Sequence, residues 1–542
     1  MSAQPRPKPA EFHVFDTTLR DGSQQEGINL SVADKLAIAA MLDELGVGFI
    51  EGGWPGANPT DTAFFAAMSD GALTLKNAQL VSFGFTRRVG MMAADDPLTA
   101  ALRDARAPVA CIVAKSHDRH VEQALHTTLS ENLAMITDTV RHLRSEGQRV
   151  FVDCEHFFDG YRENPGYALE VVRTAAEAGA EVVVLCDTNG GMLPPWIGEI
   201  VTAVNETSVP LGIHAHNDAG CAVANTLAAV DAGVMHVQGT VNGYGERTGN
   251  AELLSIVANL ELKYGWPLLP AGSLREATRL AHAIAEVTNV PPSARQPYVG
   301  LSSFAHKAGL HASAIKVDPN LYQHTDPALV GNDMRMLVSH MAGRANVQIK
   351  GEELGFDLSD RELAARITDR VKDAEAAGYT YEAADASFEL LLRRELGQLP
   401  EFFRVHSWRV FTQSTHGQET DTECTVRLTA KGQSQRVVGE GNGPVNALDH
   451  AIRKALLSAY PAVEKFELID YKVRILDQGH GTDATVRVLI ETTDGMSAWT
   501  TVGVGQNIIE ASWEALCEAY LYGLIHTDDA SELPAAELAM AR

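Results

Sequence analysis

The chain has 542 residues, 45% of them hydrophobic, enough for about three or four structural units with well-filled cores. Its formal charge of −26 argues against a nucleic-acid or anionic-membrane partner, and an anionic small substrate requires cations gathered locally. The six cysteines show no Cys-x-x-Cys spacing, residues 1–10 are Pro-rich without the apolar core of a signal peptide, and no apolar run approaches membrane-spanning length; together these predict a cytoplasmic protein with a disordered tail over 1–10.

From residue 11 to about 285, short apolar runs alternate with amphipathic stretches. Strands are predicted at 12–15, 49–52, 79–83, 109–113, 150–154, 182–186, 212–216 and 236–239, and helices between them at 31–45, 129–146, 167–178, 195–206 and 221–232, among others. Eight such units predict a (β/α)8 TIM barrel over 11–285, with functional groups at the C-terminal strand ends. A doubly wound sheet is the rival topology, and it does not bring the first and seventh strands together.

Polar residues recur at those strand ends: Arg20 and Asp21, then Glu51, Asp153 with Glu155, Asp187 to Asn189, His214 to Asp218, and Asn242 onward. Alternate residues of a strand share a face, so His214 and His216 point the same way and together can grip a divalent metal. Barrel closure leaves the first and seventh strands one neighbour apart, which makes Asp21 the third ligand. Taken singly, the two histidines are equally well read as hydrogen-bonded core residues, and Arg20–Asp21 as a surface or capping ion pair. Recurrence at the strand ends favours a site. Arg20, Arg87, Arg88, Lys115 and Arg119 fall near strand ends and are the cations available to an anionic substrate. Gly243-Tyr244-Gly245 lacks the features of a nucleotide loop, and its glycines are expected to make tight turns that aim Glu246, Arg247 and Asn250.

Over 286–399 the periodicity breaks into Pro-rich pieces and helices predicted at 361–377 and 384–396, a mainly helical linker that carries His306, His311 and Tyr322. From 400 to 542 a repeat emerges. Phe403-Arg404-Val405 and Trp408-Arg409-Val410 match Phe466-Glu467-Leu468 and Tyr471-Lys472-Val473; Thr425-Val426-Arg427 matches Thr485-Val486-Arg487; Gly439-Glu440-Gly441 with Ala447 matches Gly503-Val504-Gly505 with Ala511. Each copy reads as three strands, a glycine turn and a helix (445–460 and 508–521), so an α+β domain with an internal duplication is predicted. Backbone amides at such a turn can receive a carboxylate.

Asp16-Thr17-Thr18-Leu19-Arg20-Asp21-Gly22, His214-Ala215-His216-Asn217-Asp218, Gly243 through Asn250 and Phe304 through His311 resemble, in this order, the signatures of the metal-dependent acyltransferase barrels that include 2-isopropylmalate, homocitrate and citramalate synthases. The resemblance implies a Claisen-type condensation of acetyl-CoA with a 2-oxo acid. It implies a divalent metal (Mg2+ or Mn2+, or Zn2+) held by Asp21, His214, His216 and Asn250, with Arg20 binding substrate and stabilising oxyanion character and Thr188 binding the substrate carboxylate. The base it implies is His311, supported by Glu155 with Tyr322 nearby. His311 and Tyr322 act in the partner subunit's site in this family, which implies a homodimer. Glu51-Gly52-Gly53-Trp54-Pro55-Gly56-Ala57-Asn58-Pro59 and the segment 155–161 look most like the citramalate branch, which takes pyruvate in an early step of isoleucine biosynthesis. Isopropylmalate synthases, the alternative, which take 2-oxoisovalerate, usually show Phe-Pro at 54–55 and Gln in place of Ala312. A lyase or aldolase, or a non-catalytic amino-acid sensor, fits less of the pattern. The region 400–542 resembles a regulatory, dimerising domain that binds an end-product amino acid, isoleucine for the citramalate branch and leucine for the other.

Overall fold

The structure is a computed structural model, and it describes residues 8–205, 210–339, 343–414, 420–476 and 484–527; residues 1–7 of the expected tail lie outside this set. The chain divides into two compact units. One runs to Phe304 and includes Thr325–Met334, and the other comprises Ala305–His324 and the chain from Arg335.

The first unit is a closed, all-parallel barrel of eight strands: β1 (His13–Asp16), β2 (Phe49–Gly53), β3 (Gln79–Phe85), β4 (Val109–Lys115), β5 (Arg149–Glu155), β6 (Val182–Asp187), β7 (Leu211–Ala215) and β8 (His236–Gly239). β8 pairs with both β1 and β7, so the first and seventh strands are one neighbour apart, as the barrel expectation requires. The strands read as near-continuous apolar runs because both faces are covered. Outward residues such as Ile50, Ile112, Val152 and Ile213 pack beneath the helices, while Phe15, Phe49, Cys111, Phe151, Val184 and Cys186 fill the interior. The helices start where polar caps permit: Ser31 makes a capping box with Asp34 ahead of Val32–Leu45, and Thr128 caps Leu129–Ser145. β3 and β4 run two residues past their predicted ends. β7 stops one short, because beyond Ala215 the backbone of His216 bridges to Asn250 instead of continuing in the sheet.

Inside the barrel the period of two carries a change of chemistry. The floor is aromatic, with Phe49 and His236 each about one ring away from Phe151 at centroid distances of 5.2 Å. Two residues further along β2, β5 and β8 stand Glu51, Asp153 and Gln238.

The second unit begins with a two-residue parallel pair, β9 (Ala305–His306) with β10 (Arg335–Met336), and the helices Gly309–Ile315, Arg344–Glu353, Arg361–Ala376 and Asp385–Glu395. Two antiparallel three-stranded sheets come next. β11 (Phe403–Gln413), β12 (Asp421–Ala430) and β13 (Gln433–Gly441) precede the helix Pro444–Leu457; β14 (Glu467–Ile475), β15 (Val486–Thr493) and β16 (Ala498–Gly505) precede Ile508–Ile525. The duplication extends to irregularities. β11 bulges between Val405 and Ser407, and β14 bulges at the matching place between Leu468 and Asp470. At Gly439 an added Cβ would lie 2.4 Å from the Ala451 nitrogen, and at Gly503 2.0 Å from the Ala511 oxygen, so in both copies glycine lets the helix close onto its sheet.

Candidate metal and substrate site

Asp21 lies just beyond β1, and its Oδ2 is 3.6 Å from His214 Nε2 and 3.9 Å from His216 Nε2. One ligand atom from each of the three falls within 4.8 Å of the others, and all three residues are buried. His214 Nδ1 is 2.7 Å from Gln238 Oε1, while Gln238 Nε2 donates to Asp153 Oδ1 at 3.0 Å. Because the carboxylate fixes the amide's orientation, the imidazole proton sits on Nδ1 and Nε2 faces the cluster with its lone pair. Asn250 Nδ2 donates to Asp21 Oδ1 at 2.9 Å and to the Tyr244 carbonyl at 3.0 Å, leaving Asn250 Oδ1 as a buried acceptor with no partner among the described residues. The glycine expectation holds here: Gly245 has φ +149°, and a Cβ on it would lie 2.3 Å from Asn250 Nδ2.

Arg20 ties this cluster to the wall. Its Nη1 donates to Asp21 Oδ2 at 2.8 Å and its Nε to Glu51 Oε2 at 2.6 Å, an oxygen that also accepts from Thr17 Oγ1. Burial alone would raise the Asp21 carboxyl, but the Arg20 guanidinium and the two imidazoles hold it below the usual carboxylate range. Burial first, and His214 second, push His216 down to about 4. A carboxylate facing two imidazole Nε2 atoms, with an orphaned amide oxygen alongside, is a donor set that fits a divalent cation. Below it Glu51, Cys111 and Asp153 form a second buried group. Arg20 compensates Glu51 there, and burial followed by the Glu51 charge raises Asp153 to about 6.

The cluster opens into a cavity of about 340 Å3 bounded by Trp54, Phe83, Phe85, Glu155, Thr188 and Arg247. Thr188 Oγ1 accepts from the His156 backbone N–H at 2.8 Å and keeps its own proton to donate. Glu155 is paired with Lys115, and Arg247 forks onto Asp218 at the rim. His311 and Tyr322 lie in the second unit, where their rings stack with centroids 4.1 Å apart.

The expectation of five cations for an anionic substrate is corrected. Only Arg20 of the five lines the cavity, since Arg87 is tied to Glu131 and Asp138, Arg88 to Asp96, Lys115 to Glu155 and Arg119 to Glu163. Each of these four cations has an acid on a nearby helix, strand end or helix cap, a pairing the sequence does not reveal. Sequence reasoning also missed Gln238 and the aromatic wall. Gln238 had a usable signal: a lone amide in the apolar run of β8, in register with His236.

Family models match three stretches of the chain: "HMGL-like" over residues 11–282, "Homocitrate synthase post-HMGL domain-like" over 298–378 and "LeuA allosteric (dimerisation) domain" over 382–524. The chain is 65% identical over 517 residues to an (R)-citramalate synthase of Streptomyces coelicolor, covering 95% of this chain and 97% of that one. The chain belongs to the (R)-citramalate synthase family. A second member, from Aquifex aeolicus, is 48% identical across 96% of this chain and 99% of its own. A probable 2-isopropylmalate synthase of Methanopyrus kandleri is 33% identical over 94% of this chain and 97% of its own. The family falls on the citramalate side of the expectation drawn from Glu51–Pro59, and it makes the protein an acyl-condensing enzyme.

Proposed function

We propose that the enzyme joins acetyl-CoA to pyruvate, giving (R)-citramalate and free CoA at an early step of isoleucine biosynthesis in the cytoplasm. The observation that carries this reading is the 65% identity over 95% of the chain. The intact cluster of Asp21, His214 and His216 supports it independently.

Asp21, His214, His216 and Asn250 would hold a divalent ion, Mg2+ or Mn2+ by preference over Zn2+. When bound, that ion supplies Lewis acidity at the ketone oxygen of the 2-oxo acid. Arg20 stays charged beside that oxygen and stabilises the negative charge that develops on it. Thr188 donates its free hydroxyl proton to the substrate carboxylate. A base takes a proton from the acetyl methyl, the methyl carbon bonds to the ketone carbon, and the ketone oxygen gains a proton. Water then cleaves the thioester to a carboxylic acid and the CoA thiol. His311 is the proposed base, reaching the partner subunit's cavity with Tyr322 and supported there by Glu155. The exposed apolar side chains beside it, Leu310, Val317 and Leu321, support a role at a subunit interface.

The dimerisation-domain match over 382–524 supports a homodimer and an amino-acid effector. For the effector we propose isoleucine, in the cleft of about 840 Å3 bounded by Gly443, Val445, His450, Leu468 and Tyr471. Among the described residues no helix is long and apolar enough to cross a membrane.

The test is CoA thiol release from acetyl-CoA with a panel of 2-oxo acids. Pyruvate is expected to give the highest kcat/KM. Preference for 2-oxoisovalerate replaces the reading with isopropylmalate synthesis, and silence with every 2-oxo acid sinks it.

A further inference from the structure

One wall of the cavity is a locked aromatic sheet. Trp54 lies 4.9 Å from Phe85 and 6.0 Å from Phe83 between ring centroids, Phe83 and Phe85 are themselves 6.0 Å apart, and the Arg20 guanidinium sits 3.8 Å from the centre of the Phe83 ring. Phe83 and Phe85 belong to β3, whereas Trp54 projects from the turn after β2. That turn is fixed. The Trp54 backbone N–H donates to Asp61 Oδ2 at 2.8 Å, and the same carboxylate receives Asn58 Nδ2 and the buried Lys35 ammonium. Lys35 also donates to the Gly52 carbonyl at 2.9 Å. Gly53 has φ +136°, and a Cβ on it would meet the Asp61 carboxylate at 2.4 Å, so the approach to Trp54 is set by a glycine on one side and a buried ion pair on the other. The indole Nε1 is buried and has no hydrogen-bond partner among the described residues.

The whole cavity is about 340 Å3 and has to admit the acetyl group as well as the 2-oxo acid, so discrimination by one methylene falls to the wall that meets the alkyl group and not to the total volume. Three interlocked rings on a fixed backbone do not yield to an extra methylene, because close-packed groups transmit strain instead of absorbing it. We infer that Trp54 is the specificity-determining residue, its indole closing the cavity so that a methyl ketone fits and longer 2-oxo acids are turned away. Phe83 carries the Arg20 guanidinium. Trp54 is therefore the ring to vary, and Mn2+ binding reports whether the cluster has moved.

This inference rests on the proposed condensation, and the test separates the two. Purified wild type, Trp54→Phe and Trp54→Leu are assayed for thiol release with pyruvate, 2-oxobutyrate and 2-oxoisovalerate, with thermal melting and Mn2+ titration of each. The ratio of kcat/KM for 2-oxobutyrate to that for pyruvate is expected to rise about tenfold in Trp54→Phe and further in Trp54→Leu, the size typical of one methylene in a hydrophobic pocket. The inference is overturned if both variants melt and bind Mn2+ like the wild type while the ratio moves less than about threefold. It is equally overturned if all three acids lose activity in parallel. Should the variants unfold, inhibition of the wild type decides: 2-oxoisovalerate is expected to compete at least about tenfold more weakly than the KM for pyruvate, and equal binding overturns the inference. If wild type turns over pyruvate and the variants leave the ratio unmoved, only the role of Trp54 is lost; wild type silent with every acid sinks the proposed condensation itself.

Discussion

On β2, β5 and β8 the side chains entering the barrel change character within two residues: Phe49 gives way to Glu51, Phe151 to Asp153 and His236 to Gln238. The floor is neutral and fills space with rings. The mouth buries three carboxyl groups (Asp21, Glu51 and Asp153), an arginine and two imidazoles, and among the described residues Glu51 Oε1, His216 Nδ1 and Asn250 Oδ1 have no hydrogen-bond partner. Burying charge contributes little net stability even when it is paired, whereas burying rings contributes directly. The floor thus holds the barrel shut and the mouth holds the ligands, and mutations at the two levels should fail in different assays.

The sharpest break is expected at Asp21. Asp21→Asn should lower pyruvate turnover by about a thousandfold or more, since a bound cation is worth several kcal/mol of transition-state stabilisation. Its melting temperature should stay within a few degrees of wild type, because Arg20 retains Glu51. A collapse in stability would deny the separation of mouth from floor. The floor gives the reverse result: Phe151 is fully buried, so Phe151→Ala should cost about 3–5 kcal/mol in urea unfolding, while the KM of the folded fraction for its 2-oxo acid changes little.

This division is partly legible in the sequence. Parallel strands covered on both faces leave unmistakable apolar runs, and closure of the barrel brings the loop after β1 against the end of β7, so strand order alone assembles Asp21, His214 and His216. Pairings that cross between loops leave no such trace. Arg87 reads as a cation awaiting a substrate until Glu131 and Asp138 are seen to hold it. The same holds for Lys115, taken by Glu155 from the next strand. The aromatic wall is invisible for another reason: Phe83, Phe85 and Trp54 look like core, and only the direction each ring faces shows that they bound a cavity. The duplicated sheets are plain because repetition is itself a signal, down to a bulge at the same step.

A smaller effect is expected where floor and mouth touch, at Gln238. It is fully buried, accepts from His214 and donates to Asp153. Gln238→Leu keeps the bulk, removes both hydrogen bonds and frees the imidazole to rotate. Mn2+ affinity should fall about 10–100-fold, the range for partners that orient a ligating histidine. Unchanged affinity would mean that strand geometry alone aims His214.

The gentlest test is pH, where the two levels should pull in opposite directions. Burial, then Glu51, raises Asp153 to about 6, so the folded chain holds that proton more tightly than the unfolded chain does. The stability this contributes is full below about pH 4 and lost as pH rises through 6. His236 is held well below the usual imidazole value by burial and then by His13, so the folded chain excludes its proton. That contribution is full above about pH 6.5 and drains away as pH falls. These two contributions slope in opposite directions, and each is isolated by comparing a single variant with wild type. Asp153→Asn should gain on wild type as urea unfolding is moved from about pH 4.5 to 7, and His236→Gln should gain on it as pH is moved from 7 down to about 5. Both differences running the same way would show that one level carries a charge opposite in effect to its neighbours, and the contrast between an inert floor and a charged mouth would have to be redrawn.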